Sequence, residues 1–106
     1  MTEIIRSIRD RHYKIEIKGH ADSDEYGKDL VCCAISTLTF TLLEYLEKES
    51  KIGRVLNFTT HFEDGYIKAE CDFIYNNVRD AIEAIECGFN LLEKNYEKYI
   101  KITPKG

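Results

Sequence analysis

Asp64-Gly65 lies between two runs whose apolar residues alternate, and that arrangement constrains the fold more than any other feature. A two-residue Asp-Gly loop closes a tight antiparallel hairpin when both residues take positive φ. Residues 54 to 62 and 66 to 74 are therefore expected to pair as strands. Leu56, Phe58, Thr60 and Phe62 should share one face of the first. Ile67, Ala69, Cys71 and Phe73 should share one face of the second.

Two further strands are expected at residues 4 to 8 and 13 to 18, joined by a polar turn at Asp10-Arg11. In the second of these, Tyr13, Ile15 and Ile17 alternate with Lys14, Glu16 and Lys18. The period then changes. Val31, Ala34, Ile35, Leu38, Leu42, Tyr45 and Leu46 recur at helical spacing, which predicts a helix over residues 29 to 48. Val78, Ile82, Ile85, Phe89, Leu92, Tyr96 and Tyr99 predict another over 77 to 99, with room for a short strand at 100 to 103. The order ββαββα, with hairpins where strand follows strand, predicts an α+β fold: a mostly antiparallel sheet with two long helices packed on it. The whole chain, residues 1–106, reads as one domain. Phe40 falls opposite the apolar stripe of the first helix, so something must cover it. A second copy of the chain is one candidate and a long loop another.

The net charge of -4 argues against direct binding of nucleic acid and suits a basic peptide partner. The start MTEIIRSIRD lacks the apolar stretch of a secretory signal, and no apolar run looks long enough to cross a bilayer. A cytoplasmic protein with reduced thiols is the expectation. The four cysteines include no C-x-x-C pair, so neither a metal site nor another cofactor is expected.

The stretch GHADSDEYGKDLVCCAIS carries the candidate chemistry. Gly19 and His20 end a strand. Ala21, Asp22, Ser23, Asp24, Glu25 and Tyr26 form a polar loop, and Gly27 gives it a hinge. Asp29 is expected to cap the helix, which would put Cys32 in its first turn. Unsatisfied N–H groups there favour an anion, and a thiolate is both an anion and the reactive form of cysteine. His20 is placed to take the thiol proton. Helical phase puts Cys32 at the edge of the core stripe beside Ser36 and Thr39, with Cys33 a further 100° round, away from the core. The residues also allow a plainer outcome, in which His20 ends a strand and Cys32 is a small buried hydrophobe.

The same stretch resembles the signature of the ribosomal-processing cysteine proteases, the Prp family. Gly19, His20, Ala21, Gly27, Asp29, Val31, Cys32, Ala34 and Ser36 match it, and Cys33 departs from it where Ala is usual. The resemblance implies a homodimeric cysteine endopeptidase that removes the N-terminal extension of a bacterial large-subunit ribosomal protein precursor. It implies Cys32 as nucleophile and His20 as base, with Asp29 and Ser36 as supporting residues. Backbone N–H groups at the helix start are then expected to hold the oxyanion, and the loop from Gly19 to Gly27 to close over the peptide. The alternative is a ribosome-associated assembly module of the same fold without catalysis. A redox pair of Cys32 and Cys33 is disfavoured, because neighbours in a helix do not reach disulfide geometry.

Overall fold

The computed structural model describes residues 1–19 and 26–104, with the backbone alone for 26–29. Its elements are β1 (Thr2–Arg9), β2 (His12–Lys18), α1 (Tyr26–Lys51), β3 (Val55–Glu63), β4 (Tyr66–Phe73), α2 (Asn76–Asn95) and β5 (Ile100–Thr103). The strands form one sheet in the order β3-β4-β2-β1-β5. Three pairings are antiparallel, while β5 lies parallel to β1. This is the α+β arrangement that the alternating and helical periods predict.

Alternation decides which side of the sheet is covered. Ile4, Tyr13, Ile15, Ile17, Ala69, Cys71 and Phe73 are buried on one face. Both helices contribute to that core: Val31, Ile35, Leu42 and Leu46 from α1, and Val78, Ile82 and Phe89 from α2. The helices also pack on each other. A side chain at Gly88 of α2 would meet both Leu38 methyl groups of α1 at 3.0 Å, so glycine permits the close approach. At the far end of α1, Tyr45 and Asn77 donate to the buried Glu49, and Arg54 pairs with it at 3.3 Å. By length and composition alone, Leu30–Lys51 could cross a bilayer, contrary to the sequence expectation. Here it is the core helix, with its apolar stripe against the sheet.

The structure corrects four local expectations. First, α1 begins at Tyr26, so Tyr26 and Gly27 belong to the helix rather than to the loop, and Asp29 is not its cap. Glycine in a helix costs about 1 kcal/mol relative to alanine, which does not stop a helix anchored by a long buried stripe. Second, Leu56 does not share a face with Phe58. Val55 pairs with Phe73 on the core side and Leu56 with Asp72 on the open side. A bulge at 56–59, with Asn57 at φ 56, then returns Phe58, Thr60 and Phe62 to the core side. Third, α2 stops at Asn95, and Tyr96 turns outward while Tyr99 stays packed against the core. Fourth, only Gly65 of the β3–β4 turn takes positive φ.

On the open face, His12 sits between two carboxylates, with Nδ1 2.7 Å from Asp72 and Nε2 2.8 Å from Glu70. Hydrogen bonds to Asp72 and then Glu70 raise the His12 pKa above its ordinary 6.5. The bond from Asn57, then that from His12, lowers the Asp72 pKa, and His12 does the same for Glu70. A raised histidine stabilises the fold fully below 6.5 and loses that contribution as pH rises through the folded value. The lowered carboxylates contribute above their unfolded values, about 4, and lose it as pH falls through the folded ones. His12→Ala should therefore cost more stability at pH 5.5 than at pH 9, read as the shift in urea midpoint from wild type. An equal shift at both pH values would contradict the charged clamp.

Candidate active site

A cleft of about 190 Å³ opens between the first half of α1 and the ends of β2, β3 and β4. From α1 it is lined by Cys32, Ile35, Ser36 and Thr39. Ile17 and Ile67 lend it apolar surface, and Gly19, Glu63, Gly65 and Tyr66 border it where the strands end. Tyr66 donates to Glu16 at 2.7 Å, and Glu63 pairs with His61 at 3.1 Å. Those partners hold both side chains toward the open face, so the hairpin borders the cleft without placing a carboxylate among the isoleucines. Thr39, which is buried, donates its hydroxyl to the Ile35 carbonyl at 2.7 Å.

Helical phase distributes the cysteines. Cys32 is half-buried in the cleft, and Cys33, one residue on, is exposed. Cys71 is buried under the helices, and burial pushes its thiol up to about 12, which leaves it protonated and inert. Cys87 is exposed on α2. The four are free thiols, so Cys32 is the one thiol that lines this cleft.

Gly19 fixes how the chain leaves β2. Its φ is +94°, and a Cβ there would lie 2.6 Å from the Met1 carbonyl oxygen. Its N–H donates to the Gly65 carbonyl at 2.8 Å, tying the end of β2 to the β3–β4 turn. The chain therefore departs β2 in the wall of the Cys32 cleft, and the next residue is His20. His20, Ala21, Asp22, Ser23, Asp24 and Glu25 lie outside the described residues. The side chain of Asp29 does too, although its backbone is helical three residues before Cys32.

The early start of α1 changes the expected electrostatics of Cys32. The free N–H groups of a helix belong to its first four residues, here 26–29. Cys32 is the seventh residue, about 9 Å along the axis, and the influence of a helix terminus falls off within its first turn. Cys32 therefore lies beyond the first turn and its free N–H groups, contrary to the sequence expectation. Sequence reasoning also missed the walls supplied by Thr2, Ile17 and the β3–β4 hairpin. The Asp64-Gly65 signal located the hairpin, but nothing local to it tells that its tip folds beside α1. Among the described residues, no group of three His, Cys, Asp or Glu side chains gathers to hold a metal.

A family model described as the cysteine protease Prp matches residues 1–101. Among solved structures, SMU.848 from Streptococcus mutans superposes with a TM-score of 0.71 at 27% identity, over 96% of this chain and 95% of its own. The essential ribosomal processing protease Prp from S. aureus, in complex with a substrate peptide, gives 0.73 at 16% identity over 97% and 98%. The same protease with a covalently linked product peptide gives 0.69 at 18% identity over 96% and 97%. At those identities the S. aureus structures bear on the fold alone. No curated protein matches the chain.

Gly19→Ala tests the wall of the cleft. The left-handed φ and the Met1 carbonyl both oppose a side chain, so the variant should lose more than about 1 kcal/mol of stability in urea titration. An unchanged midpoint would show that the β2 exit is not held as described.

Proposed function

The chain belongs to the cysteine protease Prp family and is a peptide hydrolase; from that premise we propose that Cys32 is its nucleophile and His20 its general base and acid. The observation that carries this reading is the convergence on one cleft of Cys32 and of Gly19, the residue next to His20. The Cys32 thiol gives its proton to the His20 imidazole, and the thiolate attacks the scissile carbonyl carbon. The carbonyl electron pair moves onto oxygen. When the tetrahedral intermediate collapses, the C–N bond breaks and His20 protonates the departing amine. Water, deprotonated by His20, then attacks the Cys32 thioester and releases the acid product.

The substrate is the precursor of a bacterial large-subunit ribosomal protein, cut to remove its N-terminal extension. Two findings support this: the family match, and a fold shared with a ribosomal processing protease crystallised with substrate peptide. The acidic balance of the chain, -4, suits the basic body of a ribosomal protein. Asp29 and Ser36 act as positioning residues, Ser36 from the cleft wall one turn beyond Cys32. The enzyme works in the cytoplasm as a pair of identical chains; light scattering giving the mass of one chain at micromolar concentration contradicts the pairing.

Cleavage of a synthetic peptide spanning the precursor's processing site tests the assignment. Cys32→Ala and Cys32→Ser should each lower kcat/KM by about a thousandfold or more. Cys33→Ala should stay within about twofold of wild type, because its side chain points out of the cleft. Cleavage that survives loss of Cys32, or that is lost with Cys33, overturns it.

A further inference from the structure

Along α1 the cleft is lined as far as Thr39. Beyond it, a groove of about 370 Å³ runs between α1 and β3, lined by Phe40, Leu43, Glu44, Glu47, Phe58, Thr60 and Phe62. The two strings of residues match in order. Along α1 the wall passes from Cys32 and Ser36 to Phe40, Glu44 and Glu47. Along β3, running the other way, it passes from Glu63 to Phe62, Thr60 and Phe58. Cleft and groove therefore follow one another along one seam between a helix and the outer strand of the sheet, although they share no lining residue. Phe40 and Phe62 stack across it, with ring centroids 6.2 Å apart and planes 14° from parallel. Even so they remain 50% and 51% exposed, so the stack covers Phe40 only in part.

We infer that this seam binds the polypeptide substrate at a distance from the scissile bond, as an extended segment carrying apolar side chains and a cation. The inference rests on the proposed function and adds to it a second binding surface. Length supports it. From Cys32 to Glu47 the helix rises about 22 Å, which holds about six or seven extended residues. The backbone supports it as well. β3 is the edge strand, and its outer side pairs with no other strand among the described residues, so a peptide can add to it by main-chain hydrogen bonds. Charge distinguishes the occupant. The rim carries Glu44 and Glu47. Glu47 has Lys51 at 3.7 Å on the exposed helix surface, whereas Glu44 meets no cation among the described residues. A second copy meeting the groove across a two-fold axis would bring Glu44 and Glu47 toward their own counterparts, because Lys48 and Lys51 do not line the groove and lie on the outer surface of the helix. A peptide bearing Lys or Arg gains an ion pair instead.

The experiment uses the precursor peptide spanning the processing site and a version trimmed to four residues about the scissile bond. For wild type, Glu44→Gln and Phe62→Ala, kcat/KM is measured on both. Binding of the fluorescein-labelled long peptide is read by anisotropy on proteins that also carry Cys32→Ala. The preference for long over short peptide should fall about tenfold in each variant, through KM rather than kcat, and the long peptide should bind about tenfold more weakly. An unchanged preference with unchanged binding overturns the inference. So does a variant whose light-scattering mass halves while its long-peptide binding is retained, because a second copy then occupies the seam. If the wild type cleaves neither peptide, the proposed substrate falls, while anisotropy still reads whether the seam holds the chain.

Discussion

The burial of one stripe of α1 against the sheet determines the rest of this molecule. Val31, Ile35, Leu42 and Leu46 are each almost fully removed from water. At about 1.5–3 kcal/mol for each such side chain, the helix cannot roll about its axis without losing most of what holds it. Once that rotation is set, the neighbours of the stripe have no freedom of direction. Cys32 lies at the edge of the core, where it borders a cleft, and Cys33 lies outside. Chemically the two thiols are the same group. The choice between them is made by the packing of a stripe that starts at the neighbouring Val31 and runs to Leu46.

The same rotation produces the seam. A helix lying along an edge strand leaves a valley wherever its flank and the strand's core-facing side chains fail to meet. At one end the valley is narrow and bordered by strand ends. There the left-handed Gly19, bonded to Gly65, forms part of its wall. At the other end it is wider and lined by phenylalanines and carboxylates. A protease for a polypeptide needs both properties. On the proposed reading, one end would hold the carbonyl still beside Cys32, and the other would supply binding contacts that a trimmed substrate lacks.

Much of this was legible because it depends on period. The alternation of Tyr13, Ile15 and Ile17 named the buried face of β2, and Asp64-Gly65 named the β3–β4 turn. The 100° step from Cys32 to Cys33 placed one thiol beside Ser36 and Thr39, which line the cleft with it. What was not legible depends on single residues against a cooperative background. Asp29 is a good capping residue, but a cap is worth only about 1 kcal/mol, and α1 continues past it to Tyr26. Asn57 takes the left-handed region as asparagine readily does, and that one residue shifts Leu56 to the open face. The walls from Thr2, Ile17 and the hairpin tip come from pairings between distant strands, to which no local pattern points. His20 and the residues through Glu25 lie outside the described chain, so their part in the site rests on the Prp signature and on the place of Gly19 in the cleft wall.

On the proposed reading Cys32, selected by helical phase, forms the covalent bond to substrate. Acid quenching of a reaction with the precursor peptide, followed by proteolysis and mass mapping, reads that bond directly. An acyl group of the N-terminal product is expected on Cys32 and none on Cys33. An acyl group on Cys33, or turnover with no thioester at either cysteine, would contradict it.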